Sequence, residues 1–172
     1  MKKTIWLLVL AVMPTLSLAN NRTIDSLQNT YEKATHDTTK IITLLSWGEE
    51  IYLSKPDSAL VLWTKARDIA DKCLAGNSDF SELELLTLKK GKAEAFVNIG
   101  YIYGQKGNPQ LDLKYSIEAA QIFENLLAEN LGVSTFFIFK NKTKKGLASA
   151  YNNIGAIYEN QGEIDKGLEY YF

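Results

Sequence analysis

The sequence predicts an all-α protein, an α-α superhelix of about three stacked helix hairpins, the last one incomplete. Three observations carry that expectation. The stretch Asn98–Gly107 (NIGYIYGQKG) returns 55 residues later as Asn153–Gly162 (NIGAIYENQG), with Asn, Ile, Gly, Ile, Tyr and the closing Gly in the same places. A segment repeated on that scale marks an architecture of stacked units. Apolar residues recur at helical spacing, as in Phe96, Ile99 and Tyr103 or Tyr151, Ile154 and Tyr158, which places them on one face of an α-helix. Only three prolines stand among abundant Leu, Ile, Ala, Lys and Glu, a composition that favours helix over sheet.

Residues 1–19 stand apart from the fold. Lys2 and Lys3 precede the apolar run Ile5–Val12, and Ser17 and Ala19 place small residues two apart before Asn20. This predicts a secretory signal peptide cut after Ala19. The alternative, an uncleaved anchor, is disfavoured by the short run and by Pro14. Residues 20–36 predict a leading helix, with Ile24, Leu27, Tyr31 and Ala34 on one face, covering the open end of the stack.

The helical repeat domain spans 37–172. Its first unit, about 37–76, begins at His36–Thr39, where Asp or Thr caps a helix carrying Ile41, Leu44, Leu45, Trp47, Gly48, Ile51 and Tyr52. Pro56 ends that helix and Asp57 caps the next, whose stripe is Ala59, Trp63, Ala66, Ala70 and Cys73. The second unit, about 81–130, opens on a capping box of Ser81 and Glu84. A helix pattern then runs to Gln105, with a kink expected at Gly91, before Gly107-Asn108-Pro109 turns the chain and Leu111–Ala128 returns it. Gly100 and Gly155 sit in mid-helix, where Gly costs about 0.5–1 kcal/mol against Ala, so each implies a close helix crossing. Gly107 and Gly162 imply left-handed helix ends.

The third unit is placed at 143–172. The usual period of such hairpins is about 34 residues, so the junction holds roughly 20 extra. They are assigned to an irregular insert near 131–142, in which Phe136–Phe139 tuck under neighbouring helices. Lys140, Lys142, Lys144 and Lys145 then form a solvated turn.

The chemistry-bearing residues are sparse. A net charge of −1 argues neither for nucleic acid nor for an anionic membrane. One cysteine forbids an internal disulfide, and no Cys/His cluster suggests zinc. His36 is the sole histidine, at a helix boundary, and Cys73 lies on a small-residue stripe as a buried thiol. Glu49 and Glu50 are adjacent, so their side chains diverge on a helix and form no acid–base pair. Trp47 and Trp63 fall at core spacing. No phosphate loop, nucleophile elbow or zinc-protease motif is present. The expectation is no enzyme, no cofactor and no metal.

Phe96, Ile99-Gly100, Tyr103 and Gly107, with Tyr151, Ile154-Gly155, Tyr158 and Gly162 and the second-helix trio Ala59–Trp63–Ala66, resemble the tetratricopeptide repeat. The resemblance covers about Asp37–Phe172. Asp112 and Ser116 depart from it, standing where that family has a small residue and an aromatic. What the resemblance implies is a concave groove that takes a protein or peptide. By register it is lined by Glu94, Val97, Asn98 and Tyr101 in one unit and by Ser149, Asn152, Asn153, Ala156 and Glu159 in the next. Asn98 and Asn153 either bond a partner's backbone or only bridge neighbouring helices, and the sequence leaves both open.

The implied function is a non-catalytic binding scaffold, exported to a bacterial periplasm or cell surface. It would have no nucleic-acid partner through this region and meet a membrane only through a downstream segment. The opening repeat also resembles the leading repeats of exported repeat sensors from Bacteroidetes-type bacteria. That implies an alternative: the periplasmic sensory part of a longer signalling protein with a histidine kinase, cyclase or DNA-binding output, truncated at Phe172.

Overall fold

The computed structural model describes residues 22–76, 79–129 and 133–172, with the backbone alone for 133–138. The signal-peptide expectation falls outside these residues, as do part of the turn before Ser81 and the first residues of the insert. Among the described residues the chain is all helix, without strand. The helices are α1 (22–33), α2 (Asp37–Ile51), α3 (Pro56–Ala75), α4 (Glu82–Gln105), α5 (Pro109–Ala128), α6 (Val133–Asn160) and α7 (Ile164–Tyr171). Consecutive helices from α2 onward pack as hairpins, and α2 also meets α4 while α4 meets α6. The α2–α4–α6 row is therefore in direct contact, and α4 stands at its centre.

Two apolar clusters hold the stack. Ile41, Leu44, Trp63, Ala66 and Ala70 from α2 and α3 meet Leu88, Ala95 and Ile99 of α4 in the first. Leu86, Ala93 and Phe96 of α4 meet Ala119, Phe123 and Leu126 of α5 and Phe139, Ala150 and Ile154 of α6 in the second. Because α4 feeds both clusters, its sequence is apolar on two sides, as a helix buried between layers requires. Helix α1 turns Ile24 and Tyr31 against the first cluster, covering that end as expected.

The 55-residue repeat is a repeat of contacts. Tyr115 stacks on Tyr103 and leans on Phe96, with ring centroids 5.9 and 5.4 Å apart. Tyr170 does the same with Tyr158 and Tyr151, at 5.8 and 5.7 Å. Gly107 and Gly162 have φ of 78° and 80°, the left-handed region that glycine enters without strain. After each, the following N–H reaches back five residues (Asn108 to Tyr103, Glu163 to Tyr158), closing a Schellman motif.

Three boundaries differ from the sequence expectation. The N-cap of α2 is His36, without a side-chain cap, because the Asp37 carboxylate instead pairs with Lys40 at 2.9 Å and accepts from the Cys73 thiol at 3.4 Å. Lys55, not Asp57, is the N-cap of α3. Pro56 takes the first helical position, where its missing N–H is not needed. The insert is not irregular, since α6 already runs from Val133. Phe139 and Thr143, both buried, carry an apolar stripe into Gly146, Ala150 and Ile154, and no Gly or Pro interrupts 133–145. The extra residues of the long period are therefore helix length. Phe139 is tucked into the second cluster as expected; the side chains of Phe136, Phe137 and Ile138 lie outside the description. The helix also passes unbroken through Gly91, where an added Cβ would sit 2.5 Å from Ile41. The glycine serves close approach to α2.

The crossings within hairpins follow one plan. Four residues past each N-cap of α3, α5 and α7 stand Ala59, Asp112 and Gly167; eight past stand Trp63, Ser116 and Tyr171. The Trp63 indole lies where a Cβ on Gly48 would be, and donates to the Leu45 carbonyl at 3.1 Å. The Tyr171 ring lies 2.6 Å from a Cβ built on Gly155, and a Cβ built on Gly167 would lie 3.0 Å from the Gly155 carbonyl oxygen. In the middle hairpin Ser116 is too small to fill this space. The Asp112 side chain fills it instead, against Gly100 and Gly104, with the Ser116 hydroxyl donating to its carboxylate at 3.1 Å. The departure seen in the sequence is thus a local substitution of one filler by another.

Both glycine classes predict stability effects. Gly146 faces the ring of Phe123, which is fully buried, whereas Gly155 faces Tyr171, which is 38% exposed and free to swing out. Gly146→Ala is expected to destabilise by about 1–3 kcal/mol, the usual range for overpacking. Gly155→Ala is expected to destabilise by less; equal midpoints in urea would overturn the ranking. Burial raises the Asp112 carboxyl above its ordinary range, against the lowering bond from Ser116. A raised folded-state pKa means stability is fully present below the unfolded value and declines as pH rises through the folded one. Asp112→Asn is expected to flatten that decline between about pH 4 and neutrality and to be more stable at neutral pH. Unfolding titrations at both ends of that range, showing parallel losses in both proteins, would sink this account.

Candidate functional site

A trough runs along the α2–α4–α6 row. Its largest part is a cavity of about 510 Å³. Ile42, Leu45, Leu83, Gly91 and Phe139 give it an apolar wall, and Glu49, Lys90, Glu94 and Lys142 a charged one. Ile42 and Leu83 remain about half exposed there, at 53% and 52%. Beside it lies a space of about 230 Å³ bordered by Glu94, Val97, Asn98, Lys145 and Ser149. A third, about 300 Å³, is bordered by Tyr52, Trp63, Val97, Asn98, Tyr101 and Asn153. Glu49 borders all three, so they are sections of one trough.

Helical spacing explains this lining. Lys90, Glu94, Val97 and Tyr101 succeed one another three or four residues apart on α4, with Asn98 four past Glu94, and Lys142, Lys145, Ser149 and Asn153 are likewise spaced on α6. Lys90 and Glu94 form an ion pair across one turn. Glu49 is open to water yet crowded by the trough walls. That partial desolvation, reinforced by Glu94, pushes its carboxyl upward, while a hydrogen bond from Asn98 and the charge of Lys90 pull it down. Tyr101 stands edge-on to Tyr52, centroids 6.1 Å apart. The Asn153 side-chain Nδ2 is buried without a hydrogen-bond partner, a costly state for an amide donor.

Of the nine residues expected in the groove, Glu94, Val97, Asn98, Tyr101, Ser149 and Asn153 line the trough. Asn152, Ala156 and Glu159 are not among the described residues that border these three cavities. Glu159 accepts from the Tyr171 hydroxyl at 3.1 Å and so faces α7. Asn98 stands near enough to Glu49 on α2 to lower its pKa, and the Asn153 donor is buried without a hydrogen-bond partner among the described residues.

Sequence reasoning missed Glu49, Lys90, Phe139 and Lys142. In sequence Glu49 neighbours only Glu50, whereas the carboxylate that matters more is Glu94 on another helix. Lys142 and Phe139 fall in the stretch expected to be an insert. The signal that placed them was the stripe Phe139–Thr143–Gly146–Ala150, hidden because two of its members are polar or lack a side chain.

The remaining reactive groups are elsewhere. Cys73 is buried, its thiol pushed up by burial, as the sequence implied. His36 is the N-cap of α2. Among the described residues no group of three or more His, Cys, Asp or Glu is placed to hold a metal ion, and no helix is long and apolar enough to cross a membrane. The arrangement joins an apolar wall to amides and to charges of both signs. No family model matches the sequence, and no curated protein matches it.

The influence of Asn98 on Glu49 gives a direct check. Asn98→Ala is expected to raise the Glu49 pKa further, and Glu94→Gln to lower it, because the first removes a stabilising donor and the second a like charge. Carboxyl titration by NMR reads both. A fall in Asn98→Ala would show that the amide does not face Glu49.

Proposed function

We propose that this chain is a non-catalytic, protein- or peptide-binding helical-repeat scaffold of the tetratricopeptide-repeat type, exported from a bacterial cytoplasm. The observation that carries the reading is the meeting of Asn98 and Asn153 on one section of the trough. These residues are the same position of two successive repeats, 55 apart, so the repeat sets a pair of amides on the face where α4 and α6 touch. A row of contacting first helices bends a stack around that row, giving a superhelix with the trough on its concave side. A pair of amides suits the N–H and C=O groups of a bound backbone. The apolar section by Ile42, Leu83 and Phe139 suits one large apolar anchor side chain. The paired charges Lys90 and Glu94, with Glu49, disfavour a bare ion as ligand.

Panning a random peptide phage library against the full chain tests this reading. The expected result is enrichment of peptides sharing a large apolar residue, with binding reduced at least about tenfold in Leu83→Asp and in the Asn98→Ala/Asn153→Ala double variant. Peptides that bind these variants as well as the parent, or no enrichment over a bare support, would overturn it.

A further inference from the structure

The third section of the trough differs from the other two in charge. Among the described residues that border it, Glu49 is the one acidic or basic side chain. The lysines of the trough, Lys90, Lys142 and Lys145, border the first two sections instead. Glu94 is occupied by Lys90, whereas Glu49 joins none of the ion pairs among the described residues. Glu49 is exposed, so its carboxylate is within reach of a ligand. Desolvation and Glu94 push that carboxyl upward, and a cation placed beside it would offset both.

The same section has an aromatic wall. Tyr52 leans on Trp63 and stands edge-on to Tyr101, with centroids 6.1 Å apart in both pairs. Trp63 is held by its N–H bond to the Leu45 carbonyl, and Tyr101 is 38% exposed, so the wall is fixed at one end and open to a ligand at the other. Aromatic faces attract cations, guanidinium more often than ammonium. The Asn153 Nδ2 adds a buried donor that lacks an acceptor, which a ligand carbonyl would supply. An acidic side chain would meet Glu49 with like charge. An apolar one would cover Glu49 and the Asn153 donor and pair neither. A guanidinium is planar and weakly hydrated, forks onto a carboxylate and stacks on a ring.

We infer that this section is a specificity subsite for an arginine side chain of a bound peptide, its guanidinium on Glu49 and Tyr101 and a neighbouring peptide carbonyl on the Asn153 amide. The inference rests on the trough's being a peptide site, and it adds which side chain that site selects.

NMR titration of the full chain tests it with small probes: N-acetylarginine methylamide, its neutral isostere N-acetylcitrulline methylamide, N-acetylleucine methylamide and methylguanidinium. The arginine probe is expected to shift the Asn98 and Asn153 side-chain amide signals. It is expected to bind at least about threefold more tightly than the citrulline probe, the gain of one exposed ion pair and one cation–π contact. Glu49→Gln, at an exposed position where folding is not at risk, is expected to remove that difference. Asn153→Ala is expected to weaken the arginine and citrulline probes alike and to leave methylguanidinium unchanged. Equal affinity for the arginine and citrulline probes in the parent overturns the inference. So does methylguanidinium binding as tightly as the arginine probe, which would mark a site for a bare cation. If the leucine probe still shifts the Leu83 and Phe139 signals in either case, the peptide reading of the trough stands without this subsite. If no probe shifts any trough residue, both fall.

Discussion

The structure depends on how closely the two helices of each hairpin approach at one point. A small residue on the first helix (Gly48, Gly100, Gly155) lets the second cross almost at backbone distance, and a group eight or four residues past the second helix's N-cap fills the space that remains. The fillers differ. Trp63 is an indole whose N–H finds a carbonyl; Tyr171 is a phenol whose hydroxyl finds Glu159; Asp112 is a carboxylate that takes the Ser116 hydroxyl. The last two are related by exchange. Gly104 admits Asp112 in the middle hairpin, and Glu159 stands at the position of Gly104 in the next, opposite Gly167. A carboxylate–hydroxyl contact survives at both crossings, with the acid moved from one helix to the other.

That crossing geometry positions the trough. It holds each second helix against its first and leaves the first helices as neighbours in a row. Residues between the buried stripes of α4 and α6 then line the cavities of the trough. Residues from three helices meet there, and their ionisation follows from neighbours far apart in sequence. Glu49 answers to Glu94, Asn98 and Lys90. The same packing tunes groups outside the trough: the Tyr151 hydroxyl donates to Glu124 at 2.6 Å, and its pKa is pushed up to about 12 because ionisation would break that bond beside a carboxylate.

The features legible in sequence were those with a local cause. All-helical character, the leading helix, the capping box at Ser81 and Glu84, the two left-handed glycines and the buried state of Trp63 and Cys73 each follow from residues within a turn or two. The internal repeat extended this reach. It marked the close crossings at Gly100 and Gly155, and six of the nine residues it placed in a groove line the trough cavities.

Where sequence reasoning failed, the deciding partner lay on another helix. An aspartate after His36 is an ordinary cap until Lys40 and Cys73 compete for its oxygens. A phenylalanine run followed by lysines suggests a loop until Phe139 and Thr143 prove to be buried in register with Gly146 and Ala150. Asp112 looks like a fault in the repeat until Gly104 is seen to hold the space for it. The sequence by itself determined which segments are helices and which face of each is apolar, because hydrophobic period and end residues act within one helix. The tertiary structure alone decided which side chains fill the crossings and which carboxylates and amides meet in the trough. Those outcomes are set by distances between helices, and such distances are fixed only when every filler is in place.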